Sequence, residues 1–507
     1  MNGNTLFQNP PQTSQSPAQL GQNPAEVGQN PPQLGQSQEA IPQQSPAGQA
    51  QVSGSGSSEQ PPSFVFHAPG SPISLRNVVK ILLAVIIVAV IIFFISKVII
   101  PNFQNTQGSK ATIEYWGLWE DASVMNAIIS DFNREYPDIN VNYSKQDIKQ
   151  YRERLTARIQ NGTGPDIFRF HNTWVQMLSD VLLPIPNNTI KKDDFMKWFY
   201  PVAQKDLIKN GVIYGIPLGI DTLALYTNTN ILNSAGLSAP DNWVDFINHA
   251  RSLTVVDESG KIKTAGAALG TFNNVTHAPD IISLLFVQSG VDLNNIAQSE
   301  QAAADALTFY TSFALPSGSK TWDSDLDTSI LAFGKGNLAM YFGYSWDVFT
   351  IKAINPDLAF EIYPVPHLPN ENTTIASYWA EGVSIKSKHQ KEALLFMKFL
   401  AKKETEERLF AEIAKTRLFG EPYANVELAD TLRSNATVYP FVSQANGAES
   451  SFFASETFDN GLNFQMNTYL GDAVNSILRS TSPQTAVGTL SQGVNQVLQQ
   501  YSAKPAK

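Results

Sequence analysis

The chain has 507 residues, no cysteine, and 35 basic against 45 acidic residues, which gives a formal net charge of −10. The lack of cysteine excludes disulfides, thiolate zinc sites, a cysteine nucleophile and the lipid-bearing cysteine of a bacterial lipoprotein. The acidic balance contains no basic cluster or stripe, which argues against nucleic acid and anionic lipid surfaces as partners.

The first 75 residues are rich in Pro and Gln and repeat a seven-residue motif as SQSPAQL, GQNPAEV, GQNPPQL and GQSQEAI. The recurrent Pro and Gly, and the lack of paired apolar positions, exclude a coiled coil. Such a segment cannot bury enough apolar surface to offset the conformational entropy lost on ordering. We therefore expect residues 1–75 to form a disordered tail.

A nearly continuous apolar run follows at residues 78–100, interrupted only by two lysines and one serine. As a helix rising about 1.5 Å per residue it would span about 34 Å, enough to cross a hydrocarbon core about 30 Å thick. The run is longer than a typical signal-peptide core, and no small-residue cleavage site follows it. We therefore expect residues 76–100 to be an uncleaved single-pass membrane anchor, followed by a short polar stalk at 101–110. The flanking basic residues do not decide its orientation.

Beyond the stalk, strand and helix patterns alternate. Ala111–Tyr115 predicts a strand, and Asp121 predicts the N-cap of a helix that carries Val124, Ile128 and Phe132 on one stripe. The alternation continues with a strand at 140–143, a helix at 151–159 and a strand at 167–170. Alternation of this length predicts an α/β fold with a largely parallel sheet.

Downstream, Pro and Gly residues interrupt the pattern more often. Residues 212–228 predict two short strands split by Pro217 and Gly219. Helices are predicted at 243–253, 301–313 and 391–401, and mostly helix from Glu404 onward. Nearly 400 residues exceed what one hydrophobic core usually supports, so we expect two lobes.

Five blocks in a fixed order carry a family resemblance. They include VMNAIISDFNREYPDINVNY, YRERLTARIQNGTGPDIFRF, VIYGIPLGIDTLALYTNTNILNSAGLSAPDNW, LAFGKGNLAMYFGYSW and ASYWAEGVSIKSKHQKEALLFMKFLAKKE. Together they span about residues 111–405 and resemble the start and middle of family 1 extracellular solute-binding proteins, the maltose-binding-protein type of transport receptor.

The resemblance implies a periplasmic-binding-protein-like fold of two α/β lobes joined by a hinge. Lobe I would contain about residues 111–222 and 376–420, and lobe II about 226–375 with the C-terminal helices. It further implies a monomeric binding protein, not an enzyme, without cofactor or metal. Such a protein closes around a small solute and delivers it to the permease and ATPase subunits of an ABC importer. The domain would then lie outside the cell membrane and the tail in the cytoplasm.

Several of the eight tryptophans fall at predicted strand ends or in loops. Aromatic faces pack against the C–H face of a sugar ring, while carboxylates, amides and imidazoles bind its hydroxyls. The aromatic candidates are Trp116, Trp119, Trp174, Tyr344, Trp346, Tyr378 and Trp379. The polar candidates are Glu120, His171, Asn172, Asp221 and Glu381, with Asp347 as a further polar neighbour. Trp174 and Trp346 are the strongest of them, whereas Trp116 and Tyr378 fit the core equally well and Asp221 equally fits a hinge hydrogen bond.

Three functions stay open at this point. The first is an importer receptor for a sugar or oligosaccharide, with glycerol phosphate, a polyamine or a peptide as other solutes. The second is a surface carbohydrate hydrolase that uses paired carboxylates such as Glu120 and Asp221. The third is a ligand-sensing receptor whose tail transmits occupancy across the membrane.

Overall fold

The computed structural model describes residues 75–94, 110–317, 320–369 and 371–502. The chain divides into two units, and a single helix, Leu75–Phe94, is what is described of the unit at 12–108. All other described elements belong to the unit that contains residues 109–507. The predicted tail and stalk lie outside the described residues, apart from their last positions.

The helix Leu75–Phe94 begins close to the predicted start of the membrane anchor. Residues 95–100 of the predicted anchor lie outside the described residues. Among the residues that are described, no helix combines the length and the apolar content needed to cross a membrane. The predicted anchor is therefore not supported within the residues that the structure describes.

The described strands and helices are numbered here in chain order. The strands are β1 (Ala111–Gly117), β2 (Ile139–Lys145), β3 (Ile167–His171), β4 (Ile208–Lys209), β5 (Val212–Ile213), β6 (Ile216–Pro217), β7 (Asp221–Thr222), β8 (Ala224–Asn228), β9 (Val255–Val256), β10 (Ile262–Ala267), β11 (Leu338–Gly343), β12 (Phe360–Tyr363), β13 (Thr374–Ser377), β14 (Trp379–Val383) and β15 (Ala448–Glu449). The α-helices are α1 (Leu75–Phe94), α2 (Ala122–Glu135), α3 (Tyr151–Gln160), α4 (Lys192–Trp198), α5 (Pro201–Leu207), α6 (Thr229–Ser234), α7 (Trp243–Leu253), α8 (Ala278–Gln288), α9 (Glu300–Ser312), α10 (Ser329–Gly334), α11 (Asp347–Ile354), α12 (Gln390–Leu400), α13 (Lys403–Ile413), α14 (Tyr439–Ser443), α15 (Leu462–Leu478) and α16 (Pro483–Ser502).

The first lobe is built on a five-stranded sheet in the order β2-β1-β3-β14-β6. The three N-terminal strands are parallel, whereas β14 and β6 run antiparallel to their neighbours. The expected largely parallel sheet is therefore only partly correct, because β14 enters the sheet from the other end when the chain returns from the second lobe. Helix α2 buries the predicted stripe of Val124, Ile128 and Phe132. Its N-cap residue, Asp121, forms no capping hydrogen bond but pairs with Lys145 at 2.7 Å.

Residues 212–228 contain four short strands, β5 to β8, instead of the two predicted. Pro217, expected to break a strand, lies within β6 and pairs with Ala380. It is tolerated there because β6 is the edge strand of its sheet, where a missing N–H leaves no partner unsatisfied. The presence of a proline in the sequence does not by itself distinguish an edge strand from a turn.

The second lobe contains a mixed sheet in the order β12-β8-β11-β10-β9, in which only β10 and β11 are parallel. The turn before β11 contains Gly336 with φ of +80°, a left-handed conformation that glycine adopts without a steric penalty. Helices α15 and α16 pack against each other and against α9 of this lobe.

Two separate hydrophobic cores divide the large unit. One contains residues from 113–220 and 376–448, and the other contains residues from 223–375 and 419–497. The fold is thus α/β with two lobes, whose limits to the residue stay a prediction.

The chain passes between the two cores on adjacent strands. Strands β7 and β13 pair antiparallel, with Asp221 opposite Ser377 and Thr222 opposite Ala376. A third passage follows near residues 419–425, where Glu406 of α13 accepts the N–H groups of Ala424 at 3.1 Å and Asn425 at 3.0 Å. We call the pair β7–β13 the hinge.

Candidate ligand-binding site

Four predicted side chains form one cluster at the end of strands β3 and β14. Trp379 contacts the rings of Trp119 at 5.4 Å, Trp174 at 5.3 Å and His171 at 5.1 Å between centroids, each edge to face. Trp119 is 37 % exposed and Trp379 is half-buried, whereas Trp174 and His171 are buried. We call these four residues the lobe I aromatic group. Trp119 and Trp379 supply its accessible surface, and Trp174 supports Trp379 from behind.

His171 is held as a neutral ring. Its Nδ1 lies 2.8 Å from Thr173 Oγ1 and its Nε2 lies 3.0 Å from Ser377 Oγ on the hinge. Burial lowers the pKa of His171 to about 3. The ring therefore carries no charge at neutral pH and connects the aromatic group to the hinge.

Two predicted carboxylates are bound to an arginine inside lobe I. Arg169 on β3 lies opposite Glu381 on β14, and its Nε donates to Glu381 Oε1 at 2.6 Å. Its Nη1 donates to Glu120, next to Trp119 in sequence. Burial raises the pKa of Glu381, and the charge of Arg169 opposes that rise. All three side chains are buried, so Glu120 and Glu381 fix the strand ends that carry the aromatic group.

Asn172 and Tyr378 meet at a residue that the sequence analysis missed. Asp206 Oδ2 accepts hydrogen bonds from Asn172 Nδ2 and from the hydroxyl of Tyr378, both at 2.8 Å. Asn172 also donates its backbone N–H to the carbonyl of Tyr378. Trp116 lies apart, half-buried against the core of lobe I, as the alternative interpretation for that residue held.

The second lobe contributes a stacked pair of rings. Tyr344 and Trp346 stack with centroids 4.4 Å apart and planes 16° from parallel. Tyr344 is buried and donates its hydroxyl to Asp280 at 2.9 Å, while Trp346 is partly buried. Between them in sequence, Ser345 donates its N–H to Asp221 Oδ2 at 2.9 Å. Asp221 therefore binds the loop of lobe II to the hinge, which supports its structural interpretation.

A charged cluster lies beneath this pair, around His277, which the sequence analysis did not single out. His277 Nε2 lies 2.8 Å from Asp347 Oδ2, and its Nδ1 lies 2.7 Å from Ser455 Oγ. Burial lowers the pKa of His277, but the carboxylates of Asp347, Asp280 and Glu456 outweigh it and raise the pKa to about 9. His277 is thus an imidazolium at neutral pH. Its position before a helix in THAPD gave no signal of this, because Asp347 comes from a distant element.

The two aromatic groups lie on either side of the hinge. His171 contacts Ser377 on β13, and Asp221 on β7 contacts Ser345 next to Trp346. These two hinge residues are direct cross-strand partners. Two cavities, of about 550 and 190 Å³, lie elsewhere and are lined by none of the predicted site residues.

This fold and this arrangement define a two-lobed α/β binding protein with aromatic side chains on both sides of its hinge. Residues 116–407 match the family of bacterial extracellular solute-binding proteins, and the chain belongs to that family. The resemblance seen in the sequence is thereby confirmed.

Individual relatives are distant in sequence. The multiple sugar-binding protein of Streptococcus mutans serotype c is 22% identical over 329 residues, which cover 59% of this chain and 72% of the relative. The sugar-binding protein MalE of Xanthomonas citri has a TM-score of 0.64 at 18% identity, covering 78% of this chain and 100% of that one. The cyclic alpha-maltosyl-1,6-maltose binding protein of Arthrobacter globiformis has a TM-score of 0.63 at 18% identity, covering 77% and 99%. At these identities the structural likeness shows the fold.

Proposed function

We propose that this protein captures a sugar or oligosaccharide between its two lobes by hinge closure and delivers it to the permease of an ABC importer. The observation that carries the proposal is the pair of aromatic groups that flank the hinge, one in each lobe. The relatives described above are sugar-binding proteins, one of them for a cyclic maltosyl-maltose, which supports the same class of ligand.

The accessible rings are the ligand-contacting residues in this proposal. Trp119 and Trp379 in lobe I, and Trp346 in lobe II, offer apolar faces for sugar rings. The buried polar candidates act as positioning residues, because each of them is hydrogen-bonded or ion-paired within the protein. They are Glu120, His171, Asn172, Asp221, Tyr378 and Glu381.

Closure follows from contact with both lobes. A ligand shifts a two-state equilibrium only by its difference in affinity for the two states, so it must touch both aromatic groups to favour the closed form. The β7–β13 pair is the short segment that absorbs the rotation while the two cores stay rigid.

The hydrolase alternative has less support from the geometry. Glu120 is paired with Arg169, and Asp221 accepts hydrogen bonds from Ser345 and Thr222. A glycosidase needs one carboxyl group that exchanges a proton with the glycosidic oxygen and a second that faces the sugar. Steady release of reducing ends from an oligosaccharide would nevertheless establish the hydrolase. For the sensing receptor, the decisive result is a tail deletion that preserves uptake but abolishes a ligand-dependent transcriptional response.

Thermal unfolding of the full chain with a panel of saccharides tests the proposal. The panel contains one to four units of glucose or mannose, with amino acids and polyamines as comparison solutes. A ligand at 100 times its Kd adds about 2.7 kcal/mol of stability, which raises the midpoint by several degrees. We expect a shift with at least one saccharide and none with the comparison solutes, and the reverse pattern would overturn the sugar assignment.

A matched pair of tryptophan variants locates the site. Trp379→Ala removes the central ring of the lobe I aromatic group and should weaken saccharide binding by about tenfold or more, about 1.4 kcal/mol. Trp198→Ala removes another partly buried tryptophan of lobe I, on α4, and should change affinity by less than about twofold. Equal effects of the two variants would place the site elsewhere.

Tethering and location are part of the same proposal and rest on the sequence and the family. We propose that residues 76–100 hold the domain at the outer face of the cell membrane, with permease and ATPase subunits as partners. The full chain should then sediment with membranes and resist a carbonate wash, whereas a chain lacking residues 76–100 should not. Equal partitioning of the two chains would overturn the tether, and unchanged sugar uptake in a deletion strain would overturn the transport role.

A further inference from the structure

A segment outside the family match crosses from one lobe to the other beside the proposed site. It contains residues 450–461, SSFFASETFDNG, between β15 and α15, and we call it the strap. The family match ends at residue 407, so neither the match nor the sequence motifs assign it a role.

The strap is bound to both lobes. At its start, the hydroxyl of Ser450 donates to Asp206, the same carboxylate that holds Asn172 and Tyr378 in lobe I. In its middle, Ser455 lies 2.7 Å from His277 and donates its N–H to Asp280 at 3.1 Å in lobe II. Just beyond its end, Asn463 accepts a hydrogen bond from Thr173 at 2.9 Å.

Two strap residues have strained backbone. Glu456 has φ of +55° and Phe458 has φ of +54°, in the left-handed region that side chains other than Gly rarely adopt. Each such residue costs about 1 kcal/mol or more and persists only where the surrounding structure enforces it. The contacts on both sides of the pair, from Ser455 and from Asp459, enforce it here.

Phe458 exposes a large apolar ring to solvent. Phe458 is 41 % exposed, and its ring centroid lies 6.2 Å from that of Trp119, with planes 52° apart. Trp119 is itself 37 % exposed and contacts Trp379. Phe458 is thus a third accessible ring on the edge of the lobe I aromatic group. It is also close to lobe II, because it lies three positions after Ser455 in the chain, a span of at most about 11 Å.

We propose that Phe458 is a specificity-determining residue that adds a saccharide subsite to the lobe I aromatic group. The inference rests on the proposed function, and it predicts that the strap favours oligosaccharides over single sugars. Phe458 combines a left-handed backbone conformation with a ring contact to the exposed Trp119, and strained residues of this kind cluster at ligand-binding sites.

The experiment compares saccharide affinity across chain lengths in the full-length protein by titration calorimetry. The variant is Phe458→Ala, and the matched control is Phe464→Ala, which removes a 60 % exposed phenylalanine at the start of α15. We expect Phe458→Ala to weaken binding of tri- and tetrasaccharides by about tenfold and of the shortest bound saccharide by less than about twofold. Phe464→Ala should change neither.

Two further variants separate the ring from the fold. Phe458→Tyr keeps the ring and should retain the preference for longer saccharides. Glu456→Gly removes the strain at its own position while keeping the ring, so it should keep the same preference. Three results would overturn this inference and leave the proposed function intact. They are loss of the preference in Phe458→Tyr, a Phe458→Ala effect that is equal at every chain length, and a Phe458→Ala effect equal to that of Phe464→Ala. If the unaltered protein binds no saccharide of the panel, the proposed function fails, and this inference fails with it.

Discussion

At the scale of single residues, Arg169 binds two buried carboxylates that support the aromatic group from inside lobe I. Removing one partner of a buried ion cluster leaves uncompensated charge, which costs about 3–5 kcal/mol. We therefore expect Arg169→Met to lower the free energy of unfolding by about that amount in urea titrations at pH 7. The exposed Arg158→Met should change it by less than about 0.5 kcal/mol.

A triple variant checks the physical cause. Replacing Glu120 and Glu381 by Gln together with Arg169→Met removes every charge of the cluster at once. Most of the lost stability should return, because neutral buried groups carry a much smaller desolvation penalty. If the triple variant is as unstable as Arg169→Met alone, packing and not charge explains the loss.

Two buried histidines should differ in charge at neutral pH, with His277 positively charged and His171 neutral. Burial alone governs His171 and lowers its pKa to about 3, whereas the surrounding carboxylates raise the pKa of His277 to about 9. Nitrogen chemical shifts of labelled histidine should show His277 protonated and His171 neutral throughout pH 6–8. Assignment by His277→Gln and His171→Gln separates the two signals.

The contributions of the two histidines to folding stability change with pH in opposite directions. The contribution of His277 is complete below about pH 6.5 and is lost as the pH rises through about 9, since its pKa is raised on folding. The contribution of His171 is complete above about pH 6.5 and is lost as the pH falls towards 3. A His277 signal that titrates near pH 6.5 would contradict the arrangement of carboxylates around it.

At the scale of elements, helix α13 holds the third passage between the cores through Glu406. Burial raises the pKa of this carboxyl group from 4.5 to about 8. The raised pKa means that stability present below about pH 4.5 is lost as the pH rises through about 8, at about 1.4 kcal/mol per pH unit. Glu406→Gln has no such loss. Between pH 5 and pH 8 the unaltered protein should therefore lose roughly 3–4 kcal/mol of unfolding free energy relative to Glu406→Gln.

The neighbouring Glu407→Gln is the control for that prediction, since Glu407 is exposed on the same helix turn. Its unfolding free energy should follow that of the unaltered protein at both pH values. Parallel pH profiles for the two variants would show that Glu406 ionises freely in the folded state.

Elements with a clear period of apolar residues could be predicted from the sequence. Elements that depend on contacts with distant parts of the chain could not. The stripe at Val124, Ile128 and Phe132 gave α2 because helix amphipathicity is local. Strand β6 was missed because its Pro217 is acceptable only at a sheet edge, a property of the assembled sheet. The strap was missed for the same reason: its role depends on Asp206 and Asp280, far away in sequence.

The candidate site shows the same division. Trp119 and Trp379 could be selected as candidates because they lie near predicted strand ends, and a strand end can be predicted from a short stretch of sequence. Glu120 and Glu381 were assigned to the ligand, yet the structure pairs them with Arg169. Sequence spacing contains no information on which distant arginine lies opposite a carboxylate in a sheet.

At the scale of the whole molecule, two cores joined by short passages allow rigid-body closure. Sequence length and block order predicted two lobes, and the two hydrophobic cores agree with that architecture. Because the chain contains no cysteine, introduced cysteines can be labelled without side reactions. Spin labels at two exposed positions, Ala157→Cys in lobe I and Ala235→Cys in lobe II, would report the separation of the lobes.

The distance distribution between these two labels in the full chain, with and without a saccharide that stabilises it, is the most direct measurement. Capture by hinge closure predicts a change to a narrower distribution at a shorter mean distance when the saccharide is saturating. A control pair within lobe I, Ala157→Cys with Lys192→Cys, should keep its distance. An unchanged distribution between the lobes at saturating saccharide would contradict closure around a sugar.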